Sequence, residues 1–285
     1  MPHTTLLSTA QLASHLDDPA WVVFDCRHDL ANPDSGTLAY AAAHIPGARF
    51  LHLDRDLSAP KSGKNGRHPL PDPQAFMRTL GAAGVDSNKQ VVAYDGQTGV
   101  YAARLWWMLR WLGHENVALL DGGYAKWRHE ARPVSAAPAQ AVPAQAVPAH
   151  FSGRPRALAV DADEVLRSIG RPGRVLIDAR APGRYRGENE ALDPVGGHIR
   201  GALNRYFMDN LDERGCFKPA AELRPAFAAL LGDAPPDAVV HSCGSGVSAC
   251  HNLLAMEIAG LHGSRLYPGS WSEWCSDPER PIDKG

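Results

Sequence analysis

One feature constrains this chain more than any other: it repeats itself once. WVVFDCR at 21–27 resembles RVLIDAR at 174–180, and AAHIPGARF at 42–50 resembles GGHIRGALN at 196–204. QVVAYDGQTGV at 90–100 resembles DAVVHSCGSGV at 237–247, and VALLDGGYAKW at 117–127 resembles SRLYPGSWSEW at 264–274. The four matches keep their order, with offsets of about 150 residues, and such a period marks a duplicated structural unit. Two domains are therefore expected at 8–132 and 153–285. The segment 133–152 between them contains PVSAAPAQAVPAQAVPAH, low in charge and without a period that would bury a face, and reads as an extended linker. A buried strand-and-loop excursion is the alternative.

Each copy alternates short apolar runs with helical patterns. VVFD, VVAYD and VALLD have buried-strand length, and residues 100–113 carry apolar side chains at helical spacing up to a glycine. Trp106, Trp107 and Trp111 read as helix–sheet packing. Strands alternating with helices predict an α/β fold in each copy, a mostly parallel sheet covered by helices on both faces. Sites in such sheets form beyond the carboxyl ends of the strands.

Bulk properties narrow the function. Lys and Arg number 29 against 31 Asp and Glu, a net charge of −2, which provides no general attraction to nucleic acid or anionic membrane. No apolar run approaches the ~18 residues of a membrane span, and the first residues lack the pattern of a signal peptide. The five cysteines (26, 216, 243, 250, 275) form neither an even disulfide framework nor a C-x-x-C zinc motif. A reducing cytoplasm and no metal are expected.

Cys243 ends an apolar run, and VSACHNLLAMEIAGL then starts a helical pattern. A thiol at a strand-to-helix turn faces the amides of Gly244, Ser245, Gly246, Val247 and Ser248, and the helix N-terminus adds positive potential. Both favour a thiolate. A packed strand-end cysteine would show the same local pattern. A phosphatase loop needs arginine six positions on, where Ala249 stands. A G-x-S-x-G elbow fails because Cys250 closes GVSAC. A papain-like Cys–His pair needs a different architecture.

The tandem copies, DAR…GRYRG, GHIRGALN, SCGSGVSAC and YPGSWSEW resemble the two-domain sulfurtransferases of the rhodanese superfamily, which include thiosulfate and 3-mercaptopyruvate sulfurtransferases. The resemblance covers nearly the whole chain outside the linker and termini. It implies a catalytic second domain and a first copy without its cysteine, since Asp95 stands at the position matching Cys243. It implies a persulfide on Cys243, formed from a small anionic donor near the domain interface. A thiol, of a small molecule or of a thioredoxin-like protein, or cyanide would then remove the sulfur, with no metal or organic cofactor.

The loop Cys243-Gly244-Ser245-Gly246-Val247 resembles the C-G-S-G-V of mercaptopyruvate enzymes rather than the C-R-K-G-V of thiosulfate enzymes. It implies mercaptopyruvate as donor and a proton-relay role for Ser245; a loop serine bonding its own backbone is the alternative. Arg184 matches the family's substrate-binding arginine, and Arg180 is expected to support it. A second arginine often follows nine residues later, but Asp193 stands there. The clamp is then incomplete, or completed by another residue such as Arg200. Residues 52–73 resemble a segment that approaches the catalytic loop from the first domain, with His68 and Asp54 at the polar positions that orient the serine and cysteine. Lys61, Lys64 and Arg67 in its insert can add cationic charge, though they read first as a solvated loop. Cys250 reads as core, and Cys26, Cys216 and Cys275 show no partner. A thiosulfate:cyanide sulfurtransferase and a non-catalytic rhodanese-like binding module are the rival functions.

Overall fold

The computed structural model describes residues 2–136, 148–188 and 190–285. Residues 137–147, most of the expected linker, lie outside those described. The chain divides into two compact units. The first comprises 1–59, 71–156 and 213–216; the second comprises 60–70, 157–212 and 217–285. Two short segments thus belong to the unit opposite to the one their sequence position suggests.

The first unit contains β1 (Leu6–Leu7), α1 (Thr9–Ala13), β2 (Trp21–Asp25), α2 (Ser35–Ala42), β3 (Arg49–Phe50), α3 (Pro73–Ala82), β4 (Gln90–Tyr94), α4 (Val100–Trp111), β5 (Val117–Leu120) and α5 (Gly123–His129). Its five strands form one sheet, ordered β1-β5-β4-β2-β3, and every pairing is parallel. Side chains alternate between faces along a strand. Val23, Val92 and Ala118 enter one core with Leu12 and Trp127. Their neighbours Val22, Phe24, Val91 and Ala93 are equally buried, so both faces are covered. That is why these strands read as continuous apolar runs. Trp106, Trp107 and Trp111 of α4 are buried, as their helical spacing requires.

The second unit contains α6 (Ala162–Ser168), β6 (Val175–Asp178), α7 (Pro182–Arg186), β7 (His198–Ile199), β8 (Leu203–Asn204), α8 (Ala220–Leu231), β9 (Val239–Ser242), α9 (Ser248–Ile258), β10 (Arg265–Leu266), α10 (Ser270–Trp274) and β11 (Ile282–Asp283). The parallel sheet runs β10-β9-β6-β8, with β11 and β7 as a separate antiparallel pair. Val239 packs with Phe227 and Met256, whereas Val240 packs with Trp271 and Trp274. Again the central strand is covered on both faces.

The two units share details that the sequence repeat only suggests. Asp25 receives the backbone N–H, Nε and Nη2 of Arg27, and Arg27 Nη2 also reaches the Ala43 carbonyl. Asp178 and Arg180 repeat every one of these bonds, with Gly197 in place of Ala43. Asp25 pairs in register with Tyr94, and Asp178 with Ser242. Asp95 and Cys243 therefore occupy equivalent positions, one residue past the strand.

Candidate active site

Cys243 follows β9 at the carboxyl edge of the second sheet and is 2% exposed. The Gly246 amide donates to its Sγ at 3.1 Å. Gly246 has φ +75, and a Cβ there would collide with the Pro268 carbonyl, so only glycine turns this amide onto the sulfur without strain. The first turn of α9 begins at Ser248, close behind the thiol. Cys250 lies in the core beneath, its thiol donating to the Gly246 carbonyl at 3.3 Å.

The turn before α10 holds the loop from the other side. Trp271 and Ser272 donate their amides to the Cys243 and Gly244 carbonyls, at 2.9 and 3.0 Å. Ser270 Oγ accepts the Cys243 amide at 3.1 Å and donates to the Tyr267 carbonyl. Ser270 sits at φ +54, a conformation costly for a residue with a Cβ. Its counterpart in the first unit is Gly123, at φ +58. The second unit thus keeps a strained serine where the first uses glycine, and the serine hydroxyl binds the cysteine amide. Nothing in the local pattern of YPGSWSEW signalled that bond.

In the first unit, Asp95 fills the equivalent cradle. Its carboxylate accepts amides from Gln97, Gly99, Tyr101 and Ala102. Burial raises its pKa, and the four amides act against that rise. Four amides thus surround a carboxylate in the first copy at the position where the second copy holds a sulfur.

Ser245 Oγ lies 2.7 Å from His68 Nδ1, and both residues are buried. His68 arrives on segment 60–70, which the structure groups with the second unit. Asp54 belongs to the first unit. There its amide meets His52 Nδ1 at 3.1 Å and its carboxylate lies 3.9 Å from His28. Among the described residues, His28, His52 and Asp54 are the group whose ligand atoms approach within 4.8 Å of one another. His52 Nε2 already meets the Pro33 carbonyl at 3.1 Å, leaving neither of its nitrogens open to a metal.

Arginines surround the mouth. A Cβ placed on Gly244 would lie 2.7 Å from Arg67 Nη2 and 3.5 Å from Arg184 Nη1. Arg184, on α7, forks onto Glu190 at 2.9 Å and reaches Asp193 at 3.4 Å; Arg67 pairs with Asp193. In the sequence Arg67 reads first as part of a solvated loop, with added cationic charge for the site as the alternative. Its neighbours Lys61 and Lys64 are indeed exposed, but Arg67 is half-buried beside the cysteine loop. Glu190 had no signal in the sequence. Burial pushes its carboxyl up, but Arg184 and the amides of Leu192 and Asp193 outweigh that and hold it below the usual range. Arg200, one candidate to complete the clamp, pairs on the surface with Asp283.

Arg180 is buried, bound to Asp178 and Gly197, 3.5 Å from Glu190, and stacked over Trp271. Burial alone would lower its pKa; Asp178 above all, then Glu190 and Cys243, reverse the sign and raise it. Cys216 departs from the expected absence of a partner. It receives a contact from Lys126 Nζ at 3.5 Å and borders a cavity of about 490 Å³ in the first unit. All five cysteines are free thiols.

Known proteins share this two-domain fold. The rhodanese-like domain family matches at residues 8–130 and again at 161–277. The chain is 47% identical to a Pseudomonas aeruginosa protein named "Probable 3-mercaptopyruvate sulfurtransferase", over the whole of both chains. It is 35% identical to the thiosulfate sulfurtransferase of Bos taurus, covering 86% of this chain and 82% of the other. The structure of 3-mercaptopyruvate sulfurtransferase from Leishmania major superposes with a TM-score of 0.84 at 30% identity, covering 96% of this chain and 75% of that one. With two rhodanese-like domains and a relative similar over the whole of both chains, the chain belongs to the two-domain sulfurtransferases of the rhodanese family.

Proposed function

We propose that the chain takes a sulfur atom from 3-mercaptopyruvate, holds it as a persulfide on Cys243 and passes it to a thiol or to cyanide. The observation that carries this reading is the sulfur of Cys243 at the strand end, bonded by the Gly246 amide with the Ser245–His68 pair beside it. The Cys243 thiolate attacks the donor sulfur. The carbon–sulfur bond breaks, its electron pair moves to the leaving enolate, and the sulfur stays on Cys243. The donor's thiol proton passes to the enolate carbon, giving pyruvate, with Ser245 and His68 as the relay. Amides around the loop stabilise thiolate and persulfide alike. An acceptor thiolate then attacks the outer sulfur and regenerates the Cys243 thiolate; cyanide leaves as thiocyanate.

The donor assignment rests on charge. Arg67, Arg180 and Arg184 face Asp178, Glu190 and Asp193 in one connected network. Three cations against three anions suit one substrate carboxylate better than the dianion thiosulfate. Arg184 binds the carboxylate in this reading. Arg180 supports it from below, since the same bonds recur at Arg27 in the copy without a cysteine. The free thiols fit a reducing, cytoplasmic setting. No helix among the described residues is long and apolar enough to cross a membrane.

Mass spectrometry after treatment with mercaptopyruvate tests the reading: one added sulfur on Cys243 is expected, and none in Cys243→Ser. Arg184→Ala should lower the mercaptopyruvate specificity constant roughly 30- to 1000-fold. A wild-type preference for thiosulfate would refute the donor assignment.

A further inference from the structure

We infer that the second unit carries an anion site at the amino edge of its parallel sheet, where Arg167, Arg171, Arg174 and Arg265 take a tetrahedral dianionic head group such as phosphate. The site is independent of the chemistry at Cys243.

A cavity of about 110 Å³ opens where three parallel strands begin. Val175 starts β6, Ala238 immediately precedes β9, and Arg265 starts β10. Cys243 follows the opposite end of β9. The floor of the cavity is apolar, with Val160, Val165 and Val240 buried. Its walls carry the four arginines and one carboxylate, Glu164. Cavities that enclose a drug-sized organic ligand measure roughly 300–1,000 Å³. This one suits a single compact head group, with the rest of any larger molecule outside.

The cations are gathered but not neutralised. Glu164 accepts Arg265 Nη1 at 2.7 Å. Arg265 Nε is buried without a hydrogen-bond partner among the described residues, and a buried donor is costly to leave unmet. Arg167, Arg171 and Arg174 are exposed and pair with no carboxylate among the described residues. Backbone geometry brings them to one rim. The Arg174 amide donates to the Arg171 carbonyl at 3.3 Å across Pro172 and Gly173, and Gly173 sits at φ +73. A Pro-Gly turn of this kind keeps its end Cα atoms within about 7 Å. The Arg171 amide donates to the Ser168 carbonyl, beside Arg167 in the last turn of α6. Like charges held this close repel one another. An oxyanion relieves that repulsion, and guanidinium forks match its oxygens. Four cations against one carboxylate favour a dianion over a monoanion.

The first unit shows that the fold does not need these charges. Ser8 and Asp161 cap α1 and α6 by the same bond, each accepting the amide of the third helical residue. Counting on from those caps, Ser14, Asp18 and Trp21 stand where the second unit has Arg167, Arg171 and Arg174. Ala118 stands at the position of Arg265. One copy thus closes the same edge with no cation at any of the four positions.

Isothermal titration calorimetry of the full chain tests the site, with inorganic phosphate, pyrophosphate, sulfate and acetate as probes, at low ionic strength and a pH where phosphate is a dianion. Phosphate and sulfate should bind about tenfold or more tighter than acetate. Tighter pyrophosphate marks the head group of a larger phosphorylated molecule; equal phosphate and pyrophosphate mark a free oxyanion. Arg171→Gln with Arg174→Gln should weaken phosphate roughly tenfold or more. Both side chains are exposed, so this variant should melt with the wild type. Arg184→Ala should leave phosphate binding unchanged. Three results would overturn the inference: no heat from wild type with phosphate, pyrophosphate or sulfate at about 10 mM, equal phosphate affinity in the double variant, or loss of binding in Arg184→Ala, which moves the anion to the cysteine loop.

Discussion

The Ser245–His68 contact carries a measurable consequence if the two side chains act as one relay. Oγ and Nδ1 are 2.7 Å apart, and both residues are buried, at 6% and 3% exposure. Ser245→Ala leaves His68 Nδ1 without that oxygen, and His68→Ala leaves the hydroxyl without that nitrogen. A buried polar group deprived of its partner costs about 1–3 kcal/mol. A positioned proton relay contributes roughly 10²–10⁴-fold to rate. Taking the lower end, each single variant should lose about 100-fold in the rate of Cys243 persulfide formation, or about 2.7 kcal/mol at 1.36 kcal/mol per decade. Independent residues would then lose about 10⁴-fold together. A shared relay loses little beyond the first break, so the double variant should stay within about threefold of the slower single one, a coupling of about 2 kcal/mol. Single-turnover kinetics with mercaptopyruvate supplies the four rates. Thermal unfolding of the same proteins separates lost relay from lost fold. Multiplying effects in the double variant, or single variants at wild-type rates, would refute the relay.

Further outcomes follow from the loop and the core. Ser270→Ala retains the positive φ and loses the bond to the Cys243 amide, whereas Ser270→Gly loses the bond but relieves about 1–2 kcal/mol of backbone strain. The glycine variant should therefore melt higher than the alanine variant, and the reverse order in calorimetry would remove the strain argument. Gly246→Ala forces a Cβ against the Pro268 carbonyl at φ +75. It should cost about 2 kcal/mol or more and slow persulfide formation, because the amide that meets Sγ must move; unaltered melting and turnover would contradict this. His241 on β9 is fully buried, with Nδ1 unbonded, and burial lowers its pKa to about 3. A histidine with a depressed folded pKa contributes stability that is complete above its unfolded value near 6.5 and is lost as pH falls toward 3. Between pH 6.5 and 4.5 the wild type should lose up to about 1.4 kcal/mol per pH unit more than a folded His241→Gln variant. Parallel pH profiles of melting temperature for the two would exclude His241 as the source.

Much of this protein is determined by the sequence itself. The repeat, with its apolar runs of strand length between helical patterns, dictates two α/β units, because strand and helix periodicities are local and survive in any context that buries them. The same locality exposes Cys243 at the end of β9 and Asp95 at its counterpart, since a residue that follows a buried parallel strand can only enter the loop at the sheet's carboxyl edge. What surrounds the thiol was decided by tertiary structure. His68 and Ser245 are 177 residues apart, and Arg67 and Asp193 are 126 apart. Their meeting depends on segment 60–70 leaving its own unit for the other, which no periodicity encodes. Read alone, Arg67 belongs to a polar insert and Arg200 is an equally good cation. Only the fold turns the first toward Gly244 and the second toward Asp283 at the surface. Charge and donor geometry are properties of pairs, and long-range pairs exist only once the chain has closed on itself.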